Sequence, residues 1–136
     1  MKRRVVVTGV GLVTPLGVGT DATWEGLVNG RSGIDTITRF DASAFASQIA
    51  AEVKGFDPEQ YFEPKQAKNL DHFVQYALAA AEMAVESSGL VMTDEDPERV
   101  GVLTGCGMGG LPTIEQYHQV CLERGPKRIT PFLIPR

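Results

Sequence analysis

The chain has 136 residues, 43% hydrophobic and 22% charged, a balance that suits a globular segment with a modest core. A formal net charge of −4 offers no overall basic field for nucleic acid, and no apolar run approaches the roughly 20 residues of a membrane-spanning helix. Cys106 and Cys121 are too few for a disulfide scaffold, and Met1-Lys2-Arg3-Arg4 is followed by only Val5-Val6-Val7, too short for a signal-peptide core, so the expected location is cytoplasmic.

Arg4–Thr8 is a β-branched run closed by Gly9 and predicts a buried strand. Gly9 to Gly19 is a glycine-rich loop containing Pro15. Thr20 or Asp21 is the expected cap of a helix through Trp24, Leu27 and Val28, ended by Gly30. Residues 31–57 read as irregular, with an extended piece near Ile49–Val53. One long helix is predicted from Pro64 to Ser88, because Leu70, Phe73, Val74, Ala77, Leu78, Ala81, Ala84 and Val85 recur at helical period. After the acidic turn 93–98, Arg99–Thr104 predicts a second buried strand. Gly105–Gly110 is a glycine loop, and Pro112 opens a helix through Ile114, Tyr117, His118, Cys121 and Leu122 that Gly125 ends. Strands alternating with helices point to an α/β layered fold. No repeat, low-complexity stretch or linker divides the chain.

Three motifs invite chemistry. Gly9-Val10-Gly11-Leu12-Val13-Thr14 has a threonine where a dinucleotide fingerprint needs its third glycine, and Pro15-Leu16-Gly17 intervenes before any helix. A tight strand-to-loop turn is the better account. Gly105-Cys106-Gly107-Met108-Gly109-Gly110 lacks the Lys-Ser/Thr ending of a phosphate loop. Cys106 has no base at a telling spacing, so it reads as a small buried residue rather than a nucleophile. Its crowd of glycines predicts close approach by another backbone or a ligand, with Met108 as an adaptable apolar side chain beside it. Lys65, Lys68 and His72 fall on one face of the predicted long helix, either a solvated face or a dock for an acidic partner. His118 and Cys121 have no companions at metal-ligand spacing. The stretch from Ile129 to Arg136 is apolar, as expected of a segment that packs on a partner or continues into more protein.

A resemblance then takes over. Lys2–Gly11, Thr14-Pro15-Leu16-Gly17, Gly30–Ile34, Arg39–Ser43, Leu70-Asp71, Ser88-Gly89-Leu90, Arg99-Val100-Gly101, Gly105–Leu111 and Gly125–Phe132 form an ordered series similar to the N-terminal region of β-ketoacyl-[acyl-carrier-protein] synthases of the type II elongating form. The series spans essentially the whole chain and well under half of a family member.

The resemblance implies the N-terminal part of a thiolase-like α/β/α/β/α fold, residues 1–136 being an incomplete first half, and a cytoplasmic homodimer. It implies fatty-acid elongation by decarboxylative Claisen condensation of malonyl-carrier protein with an acyl thioester held on the enzyme. Acyl carrier protein, in acyl and malonyl forms, is the implied partner; no cofactor, metal, nucleic acid or membrane is. The family's nucleophilic cysteine motif and its two histidines have no match within residues 1–136, so this segment alone is expected to be inactive. Carried over by position, Gly107 and Met108 would gate the acyl pocket, Leu133 and Ile134 would line a partner's pocket across the dimer, and Lys65 and Lys68 would receive the carrier protein. Asn69 stands where relatives often carry a third basic residue. The competing readings are a non-catalytic chain-length partner of the same family, a polyketide ketosynthase domain, and a nucleotide-binding oxidoreductase built on Gly9–Thr14.

Overall fold

Thr14 organises the glycine-rich loop. Its hydroxyl donates to the Gly17 carbonyl at 3.2 Å and accepts the Leu16 amide at 3.2 Å, closing a tight antiparallel turn. The flanking strands are β1 (Val13–Thr14) and β2 (Gly17–Val18), registered Val13 to Val18. A computed structural model of the chain describes residues 2–133. They separate into two units: one holds the described residues up to Asp57 with Ala79–Leu90, the other Pro58–Leu78 with the described residues from Val91.

In the first unit, α1 (Thr20–Val28) follows the turn. Its N-cap is neither Thr20 nor Asp21 but Gly19, at φ 97°, and no side chain caps the helix. Glycine is tolerated there at little cost. The Thr20 hydroxyl is drawn away to the Val10 carbonyl at 3.2 Å. The buried Thr23 hydroxyl donates back to Gly19 O at 2.9 Å. Asn29 caps the C-terminus and Gly30, at φ 64°, turns the chain out.

The segment read as irregular contains a hairpin. β3 (Ile34–Thr36) pairs antiparallel with β4 (Ile49–Ala51), Ile34 opposite Ala51 and Thr36 opposite Ile49. The extended piece expected at 49–53 is therefore present, shorter, and has a partner that the pattern did not disclose. Glu52 ties the base of the hairpin: its carboxylate accepts the Thr38 hydroxyl at 2.7 Å and the amides of Thr38 and Arg39 at 3.1 and 3.2 Å. Lys54 pairs with Asp35 at 2.8 Å.

Gly9 and Gly11 are explained by packing within this unit. A Cβ on Gly11 would stand 2.7 Å from the Ala84 amide and 2.8 Å from the Met83 Cβ, and one on Gly9 would stand 2.7 Å from the Ser88 amide. Neither glycine has a positive φ, so close approach to helix backbone is what excludes a side chain.

The predicted helix from Pro64 to Ser88 is interrupted. α2 (Pro64–Ala67) stops after one turn, and α3 (His72–Ser88) starts afresh. The apolar periodicity runs on through the gap, which is why the pattern read as continuous. Asp71 supplies the reason for the break: its carboxylate accepts its neighbour His72's amide at 2.6 Å, and its carbonyl accepts the amides of Val74 and Gln75 at 3.0 Å each. It therefore acts as a helix-initiating residue inside a helical pattern. α4 (Leu111–Arg124) follows the expected course, with Pro112 in its first turn and Gly125, at φ 82°, as C-cap.

Neither predicted strand forms. Val5, Val6 and Val7 are 95%, 65% and 82% exposed, and Val102 and Leu103 are 89% and 99% exposed. Arg4–Thr8 and Arg99–Thr104 have no ladder partner among the described residues. β-Branched residues favour strands, but pairing and burial supply the stabilisation, and a run with neither gains no strand. Ala42 and Ala79 are the buried apolar residues described, and no large side chain is fully buried.

Candidate functional site

The second unit holds the residues with assigned roles around the break at 68–71. Losing helix after Ala67 leaves carbonyls that the next turn would have used. Gln75, 5% exposed, reaches back to supply them: its side-chain nitrogen donates to Ala67 O at 2.8 Å and Leu70 O at 2.9 Å. Its Oε1 is buried without a hydrogen bond. Asn69 donates to Lys65 O at 2.8 Å. The short helix carrying the lysines is thereby bound to α3 through side chains rather than a continuous backbone.

Lys65, Lys68 and His72 do not share one helix face, as the continuous helix had required. Lys65 lies on α2, Lys68 is its C-cap and His72 opens α3. Both lysines are exposed. Lys68 lines a polar cleft of about 240 Å³ with Asp71, His72, Thr113 and Gln116, and Lys65 lines a cleft of about 450 Å³ with Phe62, Leu70 and Leu78. His72 stacks on Tyr76, ring centroids 5.9 Å apart.

Asp71 also joins this region to α4. Its Oδ2 accepts the Thr113 hydroxyl at 2.6 Å, and a Cβ on Gly110 would stand 2.5 Å from the same oxygen. The close approach expected of the glycine loop is thus realised at Gly110, whereas Gly105 and Gly107 face open space. Gly109 is at φ 65°, and its amide donates to the Cys106 sulfur at 3.1 Å. Cys106 is exposed rather than buried, with its sulfur engaged in the turn. Met108 is 74% exposed at the loop's tip.

Along α4 runs an apolar cleft of about 490 Å³ lined by Ile114, Tyr117, Cys121, Ile129 and Leu133, with His118 at its wall. Leu133 therefore faces α4, but Gly107 and Met108 are not among the lining residues, and Ile134 lies outside the described residues. The pattern of α4 disclosed an apolar face but not its complement: the short 3-10 turns at Pro126–Arg128 and Pro131–Leu133 that complete the cleft carry no periodic signal. Among the described residues no three His, Cys, Asp or Glu side chains gather as metal ligands, and no helix is long and apolar enough to cross a membrane.

The chain as a whole superposes on solved ketosynthase structures. The ishigamide ketosynthase/chain length factor superposes with a TM-score of 0.79 at 34% identity, over 100% of this chain and 34% of that one. A type II PKS acyl-carrier protein in complex with its ketosynthase, bound to the hexaketide, contains a chain that superposes with a TM-score of 0.80 at 31% identity, over 98% of this chain and 36% of that one. The fold class is α/β, the N-terminal part of a ketosynthase fold. The family described as "Beta-ketoacyl synthase, N-terminal domain" matches residues 2–135, and the chain belongs to it. Among similar curated proteins, 3-oxoacyl-[acyl-carrier-protein] synthase 2 of Coxiella burnetii is 48% identical and that of Vibrio cholerae 46% identical, each over 98% of this chain. The chain spans about a third of the length of these relatives, 32% in both cases.

Proposed function

We propose that the intact protein elongates fatty acyl chains: it holds an acyl group as a thioester, decarboxylates malonyl-carrier protein, and joins the resulting carbanion to the acyl carbonyl. The supporting observation is agreement along residues 2–135 with one family, together with 46–48% identity to relatives named 3-oxoacyl-[acyl-carrier-protein] synthase 2. In the reaction the thioester carbonyl loses its thiol leaving group as the new carbon–carbon bond forms, and carbon dioxide leaves the malonyl unit.

Within this reading Lys65 and Lys68 receive the acidic carrier protein, Gly107 and Met108 border the acyl chain's entry, and Leu133 and Ile134 line a pocket shared across a homodimer in the cytoplasm. Exposed lysines on two neighbouring clefts suit an acidic partner, and an exposed methionine at a glycine-flanked tip suits chains of varied length. Residues 1–136 contain no match to the family's nucleophile motif, so this segment's part is to dock, border and line rather than to perform bond chemistry.

One observation favours a second reading. The similarity to a ketosynthase/chain length factor, at 34% identity, fits a binding subunit as well as a working synthase. Incubating the intact protein with acyl- and malonyl-carrier protein and following carbon dioxide release separates the two. Condensed product two carbons longer is the expected result; decarboxylation or binding without condensation would transfer the assignment to the chain-length partner.

A further inference from the structure

Asp71 lies between the two parts of the site that the proposed function uses separately. Upstream of it, α2 and its C-cap carry Lys65 and Lys68. Downstream in sequence, α4 begins at Leu111, immediately after the loop that holds Gly107 and Met108. One carboxylate joins the start of α3, to which Gln75 ties the end of α2, to the first turn of α4. Oδ1 accepts the amide of His72, the first residue of α3, at 2.6 Å, while the Asp71 carbonyl accepts the amides of Val74 and Gln75 and so opens that helix where α2 has ended. Oδ2 accepts the hydroxyl of Thr113, on the first turn of α4, at 2.6 Å. The fit is tight, because Gly110 leaves no room for a Cβ against that oxygen. Gln75 reinforces the arrangement from the other side by fastening the carbonyls of Ala67 and Leu70 to α3.

We infer that Asp71 is a positioning residue that holds the carrier-docking helix and the acyl-entry loop at a fixed separation, through its hydrogen bond to Thr113. The inference rests on the docking and entry roles proposed above. Its physical content is that a substrate tethered to a docked carrier must arrive at the loop in register, whereas a substrate without the carrier uses no dock and feels no such constraint. A charge-assisted hydrogen bond between two elements is short and directional, which is what a fixed spacing requires.

The test uses the intact protein with Thr113→Val, which removes the donor at nearly constant volume, and Thr113→Ser, which restores it. Each is assayed with the same acyl group on carrier protein and on coenzyme A. For Thr113→Val, kcat/KM with the carrier-borne substrate is expected to fall about tenfold, that with the coenzyme A thioester to stay within about twofold, and Thr113→Ser to recover both. Asp71→Asn, which keeps the shape and weakens the acceptor, is expected to repeat the split and covers the case that Thr113→Val does not fold. Equal losses with both substrates would mean a structural role and overturn the inference, as would no loss with either. A wild type active with coenzyme A thioesters but indifferent to carrier protein would instead sink the docking role, and the inference with it.

Discussion

The side-chain nitrogen of Gln75 donates to the carbonyl oxygen of Ala67 at 2.8 Å, eight residues back along the chain. The two residues belong to different helices, and the bond does across a gap what helix backbone does within one. Helix propensity alone would have joined Pro64 to Ser88, because leucine, alanine, glutamine and lysine dominate the span and no glycine or internal proline divides it. The capping chemistry of Asp71 wins locally, and Gln75 satisfies the acceptors that the win exposes.

Replacing Gln75 by alanine removes both donated bonds, leaves the Ala67 carbonyl with only the long bond from the Leu70 amide at 3.4 Å, takes the side-chain donor from the Leu70 carbonyl, and opens a small cavity. The expected cost is about 2–4 kcal/mol of unfolding free energy, read by denaturant unfolding of the intact protein. A loss below about 0.5 kcal/mol, the range of ordinary surface changes, would show that water satisfies those carbonyls equally well.

Gly11→Ala tests why the opening loop is glycine-rich. The new Cβ would meet the Ala80 carbonyl and stand 2.7 Å from the Ala84 amide, and helix backbone cannot yield as a flexible side chain can. Overpacking of this kind costs about 1–3 kcal/mol. Gly19→Ala makes a useful contrast, since Gly19 has nothing within 4 Å but a φ of 97°, so any loss there comes from conformation rather than contact. A stable Gly11→Ala protein that had lost affinity for a dinucleotide would revive the oxidoreductase reading.

Much of this was legible from residue types, and the failures have physical causes. α1 and α4 follow their apolar positions and their flanking Gly30 and Gly125 closely, because caps and periodicity are local. The hairpin of β3 with β4 joins Thr36 to Ile49 across a long loop, and no local signal announces such a pairing. The apolar runs Val5-Val6-Val7 and Val102-Leu103 do not form the strands their residue types predict, because a strand's stability resides in its neighbours, and no partner is paired with either run among the described residues. Lys65, Lys68 and Met108 stand out by residue type and position, and the resemblance adds their proposed roles; Asp71 and Gln75, which organise their surroundings, do not stand out, since a lone Asp or Gln in a helical pattern carries no signature of its hydrogen bonds.

The hairpin gives a pH prediction. The Thr38 hydroxyl, accepted by Glu52, holds that carboxyl below its usual 4.5, and the backbone amides of Thr38 and Arg39 act in the same direction. A lowered native pKa means that the folded form gains stability above 4.5 and loses it as pH falls through the native value. Amide hydrogen exchange at Thr38 and Arg39 is expected to accelerate, relative to intrinsic rates, as pH drops from about 6 to about 3. Glu52→Gln removes the titrating group and should flatten that dependence. Identical profiles in wild type and variant would show that Glu52 is not responsible.

The lysines make a prediction about ionic strength. Lys65 and Lys68 are exposed, so if they dock an acidic carrier, as proposed, the attraction acts through solvent and weakens as the screening length shrinks from about 10 Å at 0.1 M salt to about 3 Å at 1 M. The double variant Lys65→Glu/Lys68→Glu is expected to raise KM for carrier-borne substrate about tenfold or more at low salt, and to do so much less at high salt. KM for a coenzyme A thioester should barely respond. A salt-independent defect would mean that the substitutions had damaged the fold around α2 rather than the docking field.

Met108 separates bordering a substrate from building the protein. Its side chain is 74% exposed, so its loss removes little packing within this segment, and an exposed change of this kind usually shifts stability by no more than about 0.5 kcal/mol. If it borders the growing chain, enlarging it restricts length: Met108→Trp should reduce kcat/KM for long acyl substrates by about tenfold while sparing short ones, since each methylene excluded from an apolar pocket is worth about 0.8 kcal/mol. Met108→Ala should relax the same limit. Measuring the two variants over a series of acyl lengths gives opposite slopes if the side chain borders the pocket. Parallel losses at every length would place Met108 outside the acyl path and leave the glycine loop with its connection to Asp71 alone.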